Sequence, residues 1–136
     1  MTDHVRALFE RAGLTYRPHP EVVPNSRLAL RLTELARDRS LHEPVHDRLL
    51  DAYWAEGRNI ADSETLRELA AEVGLSDVDG VFTGDAYADR VRASTAQAQA
   101  LGIHGIPAFV LDSKLLILGA QPQEVFERAF ERLKAS

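Results

Sequence analysis

Two short apolar runs near the C-terminal end constrain the fold more than any other feature of the chain. Ala108–Leu111 and Leu115–Leu118 hold only apolar residues, and the turn-forming segment Asp112-Ser113-Lys114 separates them. A half-exposed antiparallel strand alternates apolar with polar residues, so this pattern is typical of strands buried on both faces. We therefore expect a β-hairpin with cover on both faces. A lone hairpin is marginally stable in water, so its edges also need partners.

The rest of the chain is predicted to be mostly helical. Apolar residues recur at helical spacing in segments that begin near residues 2, 26, 43, 62, 85 and 122, and residues 76–82 form about one short turn of helix. Residues 14–24 hold three prolines and are expected to be extended. The helix from Asp85 to Leu101 and the one from Pro122 are the expected covers for the two faces of the hairpin. The last helix is expected to bury the following residues: Val125, Phe126, Ala129, Phe130 and Leu133.

Composition excludes several classes of function. The 136 residues suffice for one domain, and a net charge of -5 without a basic cluster argues against a nucleic-acid partner. No apolar run approaches the length of a membrane span, and the N-terminal residues lack the apolar centre of a secretory signal. The expected compartment is therefore the cytoplasm, with no membrane partner.

Metal and thiol chemistry have little support in the sequence. There is no cysteine, which excludes disulfides, thiolate metal sites and a thiol nucleophile within these residues. His42 and His46 have the spacing of helical metal ligands, but Pro44 lies between them and no carboxylate clearly completes the set. We expect no metal and no cofactor.

The C-terminal motifs resemble those of a known family. Leu101-Gly102, Gly105-Ile106-Pro107 and Gly119-Ala120-Gln121-Pro122 occur in the order typical of the DsbA-like thioredoxin superfamily, and most closely of its cytoplasmic FrnE-type oxidoreductases. The resemblance implies an α/β, mostly helical, partial thioredoxin-like fold. Residues 1–101 would form a helical insertion domain with connecting segments. Residues 102–136 would form the C-terminal strand-strand-helix half.

The resemblance also implies a binding groove. Pro107 matches the family's cis-proline, which turns the strand so that the preceding Ile106 offers its backbone to an extended peptide. His104 and Gly105 complete the predicted groove. The alternative is a trans proline that begins an edge strand.

The family's Cys-x-x-Cys pair lies in an N-terminal strand-helix-strand unit that has no counterpart in this sequence. Thiol–disulfide exchange needs a thiolate, so these residues alone are expected to have no redox activity. The family's first strand would pair with Ala108, Phe109, Val110 and Leu111, and without it this edge is free to associate. We expect either a homodimer formed by sheet completion or a second chain that supplies the missing unit.

A third reading is a glutathione-dependent isomerase or transferase of the kappa type, which shares this fold. The catalytic serine of those enzymes also lies in the N-terminal unit. Neither Ser26 nor Ser94 can therefore take its role by position. This hypothesis is therefore weaker than the other two, a peptide-binding protein of the oxidoreductase family and a homodimer formed by sheet completion.

Overall fold

A computed structural model describes residues 2–17 and 23–136, and of Thr2 the backbone alone. The central part of the predicted extended segment, residues 18–22, lies outside the described residues. Within the described residues the elements follow the predicted order: α1 (Thr2–Arg11), α2 (Arg27–Asp38), α3 (His42–Trp54), α4 (Ser63–Glu72), α5 (Asp79–Thr83), α6 (Ala88–Ala100), β1 (Ala108–Leu111), β2 (Leu115–Leu118) and α7 (Gln123–Lys134).

The chain divides into two compact units, Met1–Ala93 and Ser94–Ser136. The boundary lies within α6. The sequence suggests a boundary at the end of this helix, between residues 101 and 102, and that division stays a prediction.

The first unit has a continuous apolar core built from α2, α3, α4 and α5. Leu32 of α2, Val45 of α3, and Leu66 and Leu69 of α4 are almost completely buried. The spacing of these leucines places them on one face of each helix, as the sequence predicts. Removal of apolar surface from water is the main term that stabilises such a bundle.

The start of α4 is fixed by a side-chain cap. The Asp62 carboxylate accepts hydrogen bonds from the Thr65 backbone N–H at 2.8 Å and from the Thr65 hydroxyl at 2.9 Å. These bonds satisfy a helix N–H that has no partner within the helix. The backbone N–H of Thr65 also lowers the pKa of Asp62, because the bond favours the charged carboxylate.

A polar network links α2 to the start of α6. One guanidinium nitrogen of Arg90 lies 2.7 Å from each carboxylate oxygen of Asp38, and another lies 3.0 Å from Glu34. The Tyr87 hydroxyl donates to Asp38 at 3.1 Å. The bond from Arg90 lowers the pKa of Asp38, whereas burial is the main reason that the pKa of Tyr87 is raised.

The second unit contains the hairpin and α7. The strands are antiparallel, with Phe109 opposite Ile117 and Val110 opposite Leu116. Asp112 and Ser113 both have positive φ, and Lys114 N–H donates to Leu111 C=O at 3.0 Å, as in a type I′ turn. α7 packs beside one face of the hairpin, where the Phe109 and Phe126 rings meet edge to face at 5.0 Å.

Two expectations about burial are wrong. None of the five apolar residues predicted to be buried in α7 is fully buried, and Phe130 is exposed. The hairpin is likewise not covered on both faces, because Val110, Leu116 and Leu118 are exposed. The physical reason is size: two four-residue strands offer too little surface to bury a twelve-residue helix, and nothing in the second unit covers the opposite face.

Candidate functional site

The loop that leads into β1 is set by the end of α6. Gly102 has φ of +79°, a left-handed conformation that glycine adopts without steric cost. Gly102 N–H donates to Gln99 C=O at 3.0 Å and Ile103 N–H to Ala98 C=O at 3.0 Å, which ends the helix. The chain then runs directly into the segment 104–107.

All four residues of this segment, His104, Gly105, Ile106 and Pro107, are exposed. The Ile106–Pro107 peptide bond is cis. Ile106 is 94% exposed, which is extreme for a large aliphatic side chain. Apart from its two chain neighbours, no described residue would lie within 4 Å of a Cβ atom on Gly105, so the backbone here is open to an approaching ligand.

The Gly-Ala-Gln-Pro motif holds the other side of the loop. Gly119, with φ of +80°, donates its N–H to Pro107 C=O at 2.8 Å and so joins the end of β2 to the loop. The Gln121 side-chain amide donates to Leu118 C=O at 2.8 Å. Pro122 then occupies the cap position of α7. The motif therefore connects loop 104–107, the end of β2 and the start of α7.

The same bond fixes which backbone groups of β1 face outward. Because Gly119 and Pro107 are a hydrogen-bonded pair, alternation makes Phe109 bond to Ile117 and Leu111 to Leu115. The N–H and C=O groups of Ala108 and Val110 then point to the opposite edge of β1. Within the described residues the sheet has two strands only, so no strand pairs with that edge.

A cleft of about 710 Å³ lies beside this edge, between β1 and α7. Phe130 and Leu133 supply most of its apolar wall on the helix side. On α7 the residues Glu127, Phe130, Glu131 and Lys134 follow helical spacing and form one stripe along the cleft. The full lining is Val110, Leu111, Asp112, Glu127, Phe130, Glu131, Leu133 and Lys134.

The charges around the cleft are unevenly balanced. Lys134 lies 3.0 Å from Glu131, and Lys114 lies 2.9 Å from Asp112. Glu127 instead accepts a hydrogen bond from the neutral Gln123 amide at 2.7 Å. No cation among the described side chains forms an ion pair with Glu127.

The predicted site residues, 104–111, form one continuous segment at the start of the hairpin. Segment 104–107 runs directly into β1. In this strand the backbone N–H and C=O groups of Ala108 and Val110 point to the unpaired edge, while those of Phe109 and Leu111 form hydrogen bonds with β2. The α7 side of the cleft was not predicted. The helical spacing of Glu127, Phe130, Glu131 and Lys134 is the signal that could have identified it, but the apolar spacing of α7 predicts instead that Phe130 is buried.

The histidine pair lies in the first unit, where His42 is the first residue of α3 and both rings lie on one face of the helix. The His42 and His46 rings are nearly parallel with centroids 5.6 Å apart, and an Arg37 guanidinium nitrogen lies 3.2 Å from His42 Nε2. Over the described ranges 2–17 and 23–136, no group of three potential ligands could hold a metal ion.

The family follows from comparison with known proteins. Residues 1–131 match the model of the DSBA-like thioredoxin domain. The chain belongs to this family. With a mostly helical chain and a two-stranded sheet, the predicted fold class is confirmed. Among the described helices none is long and apolar enough to cross a membrane.

Similar proteins are known from several bacteria. A probable DsbA oxidoreductase from Streptomyces coelicolor is 36% identical, with a TM-score of 0.89 over 98% of this chain and 59% of its own. The cytosolic disulfide reductase DsbM from Pseudomonas aeruginosa, solved with GSH, is 25% identical with a TM-score of 0.63 over 84% and 60%. The uncharacterized protein YwbO from Bacillus subtilis is 29% identical over 92% and 64%. The chain spans about three fifths of the length of these relatives.

Proposed function

We propose that this chain is the substrate-recognition part of a DsbA-like thiol–disulfide oxidoreductase, of the FrnE type and located in the cytoplasm. Its loop 104–107 and the edge of β1 bind an extended polypeptide. Two neighbouring features carry this proposal. The Ile106 side chain is 94% exposed, and the backbone groups of Ala108 and Val110, which follow it in the chain, point away from β2. An extended peptide adds to such an edge through main-chain hydrogen bonds.

The chemistry follows from the absence of sulfur nucleophiles. In disulfide exchange a thiolate bonds to one sulfur of a disulfide, the S–S bond breaks, and the other sulfur leaves as a thiolate that takes up a proton. These 136 residues hold no cysteine. The attacking thiolate would therefore come from another polypeptide segment, while loop 104–107 holds the substrate chain beside it.

The comparisons give this proposal its reaction class. The Streptomyces protein is described as a probable DsbA oxidoreductase and DsbM as a cytosolic disulfide reductase. DsbM was solved with GSH, which is itself a short peptide and a thiol. The cytosolic setting of DsbM supports the proposed compartment.

Two edge-strand prolines test peptide binding. Val110→Pro removes an N–H that faces the open edge of β1, and Leu116→Pro removes one that faces the outer edge of β2. Proline is tolerated on an edge strand where its missing N–H pointed to solvent, so both hairpins should persist. Fluorescence anisotropy with a labelled eight-residue peptide of alternating valine and threonine should show weaker binding for V110P alone. Equal binding by both variants would contradict the proposal.

The redox part has its own test. The purified chain should not accelerate the reduction of insulin by dithiothreitol. Turnover by the chain alone would contradict the need for an external thiolate.

A second candidate is a non-enzymatic homodimer formed when two β1 edges pair. The unpaired edge and the exposed Val110, Leu116 and Leu118 favour it. Light scattering distinguishes the two: a stable dimer that V110P dissociates supports sheet completion, whereas a monomer that binds peptide supports recognition.

A further inference from the structure

The His42 and His46 side chains on α3 have the geometry of a two-ligand metal site. We propose that the two imidazoles bind one divalent transition-metal ion of the copper, nickel or zinc class, with water in the remaining coordination positions. The pair belongs to the first unit and loop 104–107 to the second, so this inference does not rest on the proposed peptide binding.

Pro44 does not interrupt the helix between the two histidines. α3 begins at His42, so Pro44 is its third residue. The first N–H groups of a helix have no partner within the helix, so a proline in the first turn removes no helical hydrogen bond. Residues four apart then lie on one face, with Cβ atoms about 5–6 Å apart. The structure thereby supplies the convergence of the two rings that the sequence spacing leaves open.

The separation of the two rings fits one shared ion. Their centroids are 5.6 Å apart and their planes differ by 11°. Zn–N bonds of about 2.0–2.1 Å place two imidazoles on a tetrahedral ion with centroids about 5 Å apart. Rotation about χ2, a broad torsion in histidine, turns a ring nitrogen of each residue toward the ion. Because His46 is exposed, its ring can turn without repacking the core.

The contact with Arg37 shows that one ring nitrogen has an available lone pair. A guanidinium nitrogen of Arg37 lies 3.2 Å from His42 Nε2. Arginine can only donate a hydrogen bond, so His42 Nε2 accepts it and carries no proton. The Arg37 side chain is 57% exposed and lies 3.7 Å from Glu34, so a metal ion can displace it from His42. Arg37 therefore competes with the metal for this nitrogen.

The donor set selects the class of ion. Imidazole nitrogen suits copper, nickel and zinc, whereas calcium and magnesium prefer oxygen ligands. Among the divalent ions of the first transition row, Cu²⁺ generally binds such nitrogen sites most tightly. Over residues 2–17 and 23–136 no third protein ligand completes a group with the pair. The site therefore keeps open positions for water, unlike a closed structural zinc site.

Paramagnetic broadening in NMR spectra of the full chain tests the site residue by residue. Substoichiometric Cu²⁺, in a buffer that does not chelate it, should broaden the ring signals of His42 and His46 before those of His104. His46→Asn should raise the Cu²⁺ concentration that broadens His42 about tenfold or more, since loss of even a supporting partner of a metal ligand costs that much. His104→Asn is the matched control, because His104 is exposed and has no second histidine one turn away. It should leave the broadening of the pair unchanged.

A substitution at Arg37 gives an effect that binding to a solitary histidine would not. Arg37→Gln removes the competing guanidinium and should strengthen Cu²⁺ binding about two- to fivefold, the range of an exposed charge pair. Arg27→Gln removes the same charge from the other end of α2. That position is about 15 Å away along the helix. Because exposed charges are screened over about 8 Å at 0.15 M salt, R27Q should leave the affinity unchanged.

Three results would overturn this inference. The first is equal broadening of His104 and the pair, which would mean that copper binds single imidazoles only. The second is an unchanged affinity in H46N, and the third is weaker binding in R37Q. Since His46 is exposed, H46N should keep the fold, and unchanged urea unfolding followed by Trp54 fluorescence verifies this. Peptide binding is measured without metal, so failure of the metal site leaves the proposed function standing.

Discussion

Val110 and Leu116 face each other across the hairpin, yet their backbone N–H groups point to opposite edges of the sheet. Both side chains lie on the same exposed face. Substitutions at these two positions therefore probe the two edges separately, because the Val110 N–H lies at the edge beside the cleft and the Leu116 N–H lies at the outer edge of β2.

The buried face of α2 should dominate the stability of the first unit. Leu32 has no exposed surface, whereas Leu30 on the same helix is 45% exposed. Leu32→Ala should lower the free energy of unfolding by about 2–5 kcal/mol, and Leu30→Ala by about 0.5 kcal/mol. Urea unfolding followed by the fluorescence of Trp54, the single tryptophan, measures both. Equal effects of the two substitutions would contradict the assigned core.

The Asp62 cap should contribute measurably to α4. Asp62→Ala removes the acceptor for Thr65 N–H, so it should cost about 1 kcal/mol of unfolding free energy. Asp62→Asn keeps an oxygen acceptor and should recover most of this loss. Thermal unfolding by circular dichroism compares the variants. If D62N is as unstable as D62A, the cap does not act through that hydrogen bond.

The Asp38 network should make stability depend on pH. The pKa of Asp38 is lowered in the folded state, mainly by its bond from Arg90. The unfolded chain therefore binds more protons in the acid range, so this contribution is complete above the ordinary pKa of about 3.8 and is lost as pH falls through the lower folded value. Asp38→Asn should be less stable than the native chain at pH 7, and the gap should narrow below pH 4. A gap that is constant from pH 7 to pH 3 would contradict this assignment.

Two glycines should respond differently to the same substitution. Gly119→Ala places a side chain at φ of +80° and should lower the free energy of unfolding by about 1 kcal/mol. A Cβ atom on Gly105 would meet no described residue beyond the two chain neighbours, so Gly105→Ala should leave stability nearly unchanged. Thermal unfolding of both variants tests this, and equal losses would show that Gly105 is constrained as well.

Local signals in the sequence predicted the elements well. The apolar runs predict the strand limits at Ala108–Leu111 and Leu115–Leu118, and the apolar spacing predicts the start of α4 near residue 62. α6 begins at Ala88 rather than at Asp85, whose C=O instead accepts a bond from Ala88 N–H at 3.0 Å. Helix ends are set by such turn-scale choices, which periodicity does not resolve.

Burial in the second unit could not be predicted in the same way. Apolar spacing on α7 identifies the side chains that can be buried, but the amount of burial depends on what packs against them. The exposure of Phe130, and therefore the cleft with Glu127 on its wall, becomes visible only in three dimensions. The family motifs identified loop 104–107 because those residues are consecutive in the chain.

Amide hydrogen exchange, followed residue by residue by NMR, tests the central claim most directly. In the free chain the N–H groups of Ala108 and Val110 should exchange rapidly, like those of Leu116 and Leu118 on the outer edge of β2. Addition of the extended peptide of alternating valine and threonine should slow exchange at Ala108 and Val110 and leave Leu116 and Leu118 unchanged. Protection of Val110 in the free chain, or equal protection of both edges by the peptide, would contradict recognition at the edge of β1.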